Sequence, residues 1–539
     1  MLRSEATPKE LKLKMVGSTV FGRLPKISVE QTYNMIISDG FLVDYSGYAA
    51  ILDLVHGGVG RGAYSSISGN FVIAVVSTGV FIIEPGISSQ LVGNLLTSEG
   101  DVFIAENNAQ QVAITDGSNI YVYDYSSDAT VPRFKRGAVS GGDFELPAAL
   151  IHPGYITFQN GRLLVAGLET NSWFLSDFNN ALMWPDDAQH VGVFQTKNDT
   201  VQAPIRFPGR GNLLFLFGSV VTESWTDVGA ALFPYQKDSS FNMDYGTINA
   251  ASIAGNEDIL VWIAINEQSG PVLMYTNGGS IQRITTDGID YQLANLSNPQ
   301  DCYGFLFRQD GHQIYQFVFP TDNLSYIYDF NTKAFFTVTD ENLDHHIAKR
   351  VVFFQGSYYF VSSKDGKFYE FNTNQTDFVY SLPNDPILDV KSIPRIRICP
   401  PIRLSSQKSF ITKNLQFTIE QGEPNTITEI PNYLPNSQSF LTTEDGNVLT
   451  TEDGRALVTN QGVSLIPFQI ASQAVDLSIS RDGGVTFGSS VRQNMNATGK
   501  RKSRFIYRQI GRANDLTPQF RFWGLSRFTC TDGIAEVYQ

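Results

Sequence analysis

The chain has 539 residues, enough for two to four domains with sizeable cores. Charged residues make up only 17% and aromatics 12%, with 38 Phe, 23 Tyr and 46 Gly, a balance that favours β structure over helix bundles. The net charge of −14 excludes a protein that wraps nucleic acid by neutralising phosphates, but not one whose acidic wall lets DNA slide past.

The opening MLRSEATPKELKLKM lacks an apolar h-region, so no secretory signal is expected. Residues 1–55 lack the rhythm that follows and read as an N-terminal arm, able to pack with the C-terminal domain. Within it VEQTYNMI (29–36) is the best short helix candidate. HGGVGRGAY (56–64) is Gly-rich but lacks the phosphate-loop spacing, and reads as a hairpin or tight loop. The most apolar run, FVIAVVSTGVFIIEP (71–85), is too short to span a bilayer and is broken by Ser77-Thr78-Gly79. It predicts a strand, a tight turn and a second strand.

From about residue 60 to 385 one beat persists: a β-rich run, a Gly-containing turn, another β-rich run. Examples are VAITDGSNIYVYDY (112–125), ITFQNGRLLVAGLETNSWFLSD (156–177) and GFLFRQDGHQIYQFVFPTDNLSYIYDFNTKAFFTV (304–338). Asn-Gly and Asp-Gly suit tight hairpins because both positions tolerate positive φ. The units recur roughly every 40 to 50 residues, the length of a propeller blade. The expectation is an all-β chain: a β-propeller of six to eight blades over 56–388 and an additional β domain over 389–539. Stacked β-sandwiches are the alternative architecture.

Possible chemistry along the chain is sparse. Asp344-His345-His346 has the composition of a metal or catalytic cluster, but neighbours on a strand point to opposite faces. Cys302, Cys399 and Cys530 form no C-x-x-C pair, so neither a zinc knuckle nor a disulfide framework is expected, and they read as buried thiols of a chain made in a reducing cytoplasm. No catalytic residue, cofactor site or metal site is assigned.

The C-terminal part carries an eight-residue stutter, LTTEDGNV-LTTEDGRA-LVTNQGVS, within 441–464. Asp445-Gly446 and Asp453-Gly454 suit hairpin turns, so the segment reads as a β-meander or projecting tongue and a candidate tip. A calcium site using Glu444, Asp445, Glu452 and Asp453 is disfavoured, because calcium β-rolls repeat every nine residues with paired glycines. SRDGGVTF (480–487) fits S-x-D-x-G-x-T-F and resembles the Asp-box of sialidases, a structural hairpin built here on Ser480, Asp482, Gly484 and Thr486. A sialidase would show several boxes, and this chain shows one. RKSRFIYRQIGR (501–512) should place Arg504, Ile506 and Arg508 on one strand face and Phe505, Tyr507 and Gln509 on the other. Arg504, Arg508 and Arg512 are then a candidate basic strand facing an interface or DNA.

Three C-terminal segments in order, Ser480-Arg481-Asp482-Gly483-Gly484, Arg508-Gln509-Ile510-Gly511-Arg512 and Phe520-Arg521-Phe522, resemble the packaged-DNA stabilisation, or tail hub (nozzle), proteins of short-tailed phages. DYSGYAAILDLVHGGVGRGAY (44–64) resembles that family's opening, with an Arg-Gly before the first blade. Phe487 stands where Trp is common and Ile510 replaces a Leu. The resemblance implies a virion tail protein, assembled in the host cytoplasm as a homo-oligomer, commonly a hexameric ring, beneath the portal and its adaptor. It would extend and close the DNA exit channel, retain packaged DNA and let double-stranded DNA pass during ejection without sequence specificity. Other tail proteins (fibre, spike or needle) would dock on it, and no membrane span is implied. A sialidase-like glycosidase and a receptor-binding or adaptor propeller on a particle surface are the other readings.

Overall fold

A computed structural model describes residues 8–22, 30–127, 132–207, 209–230, 232–383, 385, 389–406, 408–424, 473–495, 501–524 and 526–538. The chain divides into two compact units. One comprises 18–34 and 48–373, the other 1–17, 35–47 and 374–539. The stretch 1–55 is thus shared between the units rather than forming one arm.

In the first unit seven sheets follow one another. Their first strands are Gly60–Ser65, Phe103–Glu106, Pro153–Gln159, Val201–Arg206, Gly246–Thr247, Tyr303–Gln309 and Ala348–Phe354. Each sheet packs on the next, and Ala348–Phe354 of the seventh packs on Gly60–Ser65 of the first, so the series closes into a ring. This is a β-propeller, and the outer strand of its last sheet is Gly47–Asp53, laid beside Lys367–Asn372. The sixth sheet also gains a strand from the early chain, Gln31–Tyr33, parallel to Ala334–Thr337.

Alternate residues of a strand face opposite sides of a sheet, and here both sides meet another sheet. Ile73 and Val75 pack with Val112 and Ile114 of the second sheet. Val72, Ala74 and Val76 pack with Val352, Phe354 and Val361 of the seventh. Burial on both faces is why FVIAVV reads as a continuous apolar run rather than an alternation. The run does split into Val72–Val76 and Gly79–Glu84, with Ser77 at φ 50° in the turn. Asn160-Gly161 (φ 48° and 86°) and Asp310-Gly311 (φ 47° and 85°) take the two positive φ values that a two-residue hairpin of this hand requires.

The candidate helix at 29–36 is not one. Gln31–Tyr33 and Met35–Ser38 are strands, and Asn34 between them sits at φ 52°, which no right-handed helix accommodates. The α-helix among the described residues is Asp287–Ala294, burying Ile289 and Leu293.

The second unit is built of two sets of strands. In one, Phe410–Pro424 is flanked by Lys502–Ala513, Gly533–Tyr538 and Ser526–Cys530, with Lys9–Leu13 beyond Gly533–Tyr538 and Phe41–Asp44 and Met35–Ser38 beyond Ser526–Cys530. In the other, Thr517–Trp523 lies between Arg395–Ile398 and Ala474–Ser480, with Val491–Asn494 at the edge. Phe417 stacks on Phe505 at 5.3 Å and meets Phe520 edge-on at 4.9 Å, inside a core that also holds Leu13, Met35, Leu415 and Tyr507.

IPRIRICPP (393–401) carries two arginines that look solvent-facing, yet both are fully buried. Arg397 Nε donates to Met15 O at 2.9 Å. Arg395 pairs with Asp44 at 2.9 Å, donates to Gly524 O at 3.0 Å and to Thr376 O at 2.7 Å. Asp44 in turn accepts from Phe528 N at 3.0 Å. Asp377 shares this interior, and burial pushes its carboxyl up to about 6, Arg395 pulling it down and Asp44 pushing it further up.

A folded carboxyl titrating above its ordinary value near 3.8 favours the protonated form, so its contribution to stability is fullest below about pH 4 and is lost as pH rises through 6. Asp377→Asn is therefore expected to raise stability at pH 8 by about 2 kcal/mol and to make no difference at pH 3.5, read from urea midpoints across that range.

Candidate functional site

The centre of the propeller is lined by the first strand of each sheet, and Gly60-Arg61-Gly62 sets the closeness of their packing. A Cβ at Gly60 would lie 2.5 Å from Ser362 O of the seventh sheet, and one at Gly62 3.0 Å from Val102 O at the entry to the second. Arg61, 0% exposed, turns its guanidinium into the junction between the first two sheets. It donates to the carbonyls of Ser77 (3.0 Å), Thr97 (2.7 Å), Glu99 (2.5 Å) and Gly100 (2.9 Å), and to Thr97 Oγ1 (2.9 Å). Burial lowers its pKa, and Asp116 and Asp101 oppose that. The segment HGGVGRGAY is a tie between sheets.

Beside it, side chains from four other sheets meet around Asp101, which precedes the second. Lys349 Nζ lies 3.3 Å, and Arg350 Nη2 3.9 Å, from Asp101 Oδ1. Arg350 also donates to Ala251 O at 2.9 Å and lies over the Phe103 ring at 5.6 Å. Lys349 lies over Tyr303 at 5.5 Å, and Phe103 meets Tyr155 at 4.7 Å. Burial lowers the Lys349 pKa; Asp101 counters it and Arg350 reinforces it. The arrangement locks two cations onto one carboxylate among aromatic rings, and so fixes the sheets around the axis. Spacing gives no hint of it, because Asp101 and Lys349 meet only when the ring closes.

Ser480, Asp482, Gly484 and Thr486 form one turn at the end of Ala474–Ser480. Ser480 Oγ is 2.5 Å from Asp482 Oδ1 and accepts from Gly484 N at 2.9 Å, while Asp482 accepts from Val485 N (3.1 Å), Thr486 N (3.0 Å) and Thr486 Oγ1 (2.5 Å). These donors hold the Asp482 carboxyl well below the usual range, Ser480 first among them.

Arg504, Arg508 and Arg512 lie exposed along Lys502–Ala513, with Phe505 and Tyr507 buried on the other face. The alternation fails at Gln509, which is exposed at φ 58°, and Gly511 follows at φ 98°. Arg504 donates to Gln416 Oε1 at 2.6 Å and Arg512 to Ser409 Oγ at 2.6 Å. None of the three has a carboxylate partner among the described residues, so their charge is uncompensated. Asp445, Gly446, Asp453 and Gly454 of the tongue lie outside the described residues.

His345 and His346 do not form a site. Burial lowers His346 to about 3, and it stacks on Phe371 at 5.6 Å. His345 is lowered to about 4 and meets Asn323 Oδ1 at 2.9 Å. Among the described residues no group of three or more His, Cys, Asp or Glu could hold a metal. Cys302, Cys399 and Cys530 are buried, and no disulfide joins them among the described residues.

Asp101→Asn is expected to lower stability by about 2 kcal/mol by leaving Lys349 and Arg350 without their carboxylate, and adding Lys349→Met is expected to recover part of it; a denaturation double-mutant cycle reads the coupling.

No curated protein sequence matches the chain. Among solved structures it is similar to a streptogramin B lyase (13% identity, 61% of this chain and 97% of that one, TM-score 0.41). It is also similar to a catalytically inactive virginiamycin B lyase from Staphylococcus aureus with quinupristin (13%, 60% and 98%, TM-score 0.41). A family profile described as "Bacteriophage P22 Gp10, beta-propeller" matches residues 23–376. That span is well over half of the chain, and the chain belongs to this family of phage stabilisation propellers.

Proposed function

We propose that the protein is a structural component of a phage virion, the tail hub or nozzle below the portal and adaptor, and not an enzyme. It extends and closes the DNA exit channel, retains packaged DNA and lets it pass during ejection. The observation that carries this reading is the filled propeller centre, where Asp101, Lys349 and Arg350 lock together among Phe103, Tyr155 and Tyr303. The blades of a propeller surround a central channel, and here the protein's own charges and rings meet one another across the first strands that line it. A channel for DNA then belongs between copies in a ring rather than along one propeller's axis. The acidic balance suits a wall that DNA passes without sticking. In this reading Arg504, Arg508 and Arg512 face a neighbouring subunit or the DNA, and the copies form a homohexamer that other tail proteins join.

The purified 59.7 kDa chain, alone and with a portal–adaptor ring, is expected to give six-fold rings by mass photometry and negative-stain class averages. A persistent monomer that ignores the portal–adaptor ring overturns the hub reading and favours the receptor-binding alternative.

A further inference from the structure

On the strands Thr517–Trp523 and Ala474–Ser480 a hollow of about 320 Å³ is lined by Asp476, Ser478, Ser490, Gln519, Arg521 and Trp523. The Arg521 guanidinium stacks over the Trp523 indole at 4.0 Å. Asp476 is already fully engaged: Arg492 grips it through two nitrogens at 2.7 and 2.8 Å, and Trp523 Nε1 donates to it at 2.7 Å. Arg521 Nε is buried and has no hydrogen-bond partner among the described residues. Because Arg492 already pairs with Asp476 from beside the hollow, the Arg521 guanidinium in its lining is one positive charge in excess. Ser478, Ser490 and Gln519 add hydroxyl and amide groups around it.

We propose that this hollow is a binding site for a side-chain carboxylate on an acidic protein segment, gripped by Arg521 on its Trp523 platform. A stacked guanidinium has its plane fixed, and its free edge matches the flat, two-oxygen shape of a carboxylate. One net charge in the hollow matches one carboxylate. A nucleic-acid backbone would ask instead for a row of exposed cations, and it would meet a chain of net charge −14. Desolvation already depresses the Arg521 pKa, so a bound anion would restore what burial removes.

Trp523 supplies its own probe. The other four tryptophans, Trp173, Trp184, Trp225 and Trp262, are buried, while Trp523 is partly exposed. Iodide quenching of the intact protein at constant ionic strength should thus report on Trp523. The expected result is that the blocked peptide acetyl-Ala-Glu-Ala-amide protects against quenching and its Gln counterpart does not. Arg521→Gln should weaken that protection at least about tenfold, and Ser490→Ala, in an exposed segment, should weaken it less while leaving the fold intact. The proposal is overturned if the Glu peptide gives no protection, if the Gln peptide protects equally, or if Arg521→Gln folds and protects as before. It is equally overturned if inorganic phosphate or a short DNA duplex protects better than the peptide. Should Arg521→Gln fail to fold, unchanged protection in Ser490→Ala together with equal protection by the Gln peptide decides against it.

Discussion

Four hydrogen bonds from one buried guanidinium hold the first propeller sheet to the segment that begins the second, and a fifth ties it to the turn at Ser77. A propeller has no edge at which an error can be absorbed, because each sheet is the floor of the next. Arg61 acts where the ring must start, and the glycines on either side let the first strand approach both neighbours. An arginine suits this place because its planar fork offers five donors in fixed directions, against three on a lysine ammonium. The burial of Arg61 is tolerable because backbone carbonyls satisfy its donors while Asp116 and Asp101 supply negative charge nearby.

Charge is used in the same economical way elsewhere. In the propeller centre Asp101 serves two cations, and in the other unit Asp44 and Arg395 lock together with backbone groups around them. In a chain with so few charged residues, a good share of the internal ones act as fasteners between segments far apart in sequence. Asp44 and Arg395 bring an early strand to a late one. Surface pairs in the same molecule, such as Lys502 with Glu420, are solvated and contribute little.

How much of this was legible depended on whether the cause was local. The Asn160-Gly161 and Asp310-Gly311 hairpins and the split of FVIAVVSTGVFIIEP were readable, since turn chemistry and two-sided burial leave their mark on neighbouring residues. So was the propeller rhythm. The helix expected at 29–36 failed because tertiary pairing, with Tyr33 beside Thr337, overrides a weak local preference. The burial of Arg395 and Arg397 leaves no local mark, because Asp44, Thr376, Gly524 and Met15, which make it possible, come from distant segments. The basic strand was legible up to Tyr507, where the backbone leaves the strand region at Gln509. Nothing local marks Asp476, Arg492, Arg521 and Trp523 as neighbours; three strands must pair first.

The division of the chain into units has a consequence for how the protein is made. Strand Lys9–Leu13 pairs with Gly533–Tyr538, at the opposite end of the sequence. On a ribosome adding roughly 5–20 residues per second, the partner follows the first strand by about half a minute to two minutes. Throughout that interval the early strand has emerged with an unmatched edge, while the segments that form the propeller are already available to fold. The propeller is thus the part that can form first during translation, whereas the other unit must wait until Gly533–Tyr538 has left the exit tunnel.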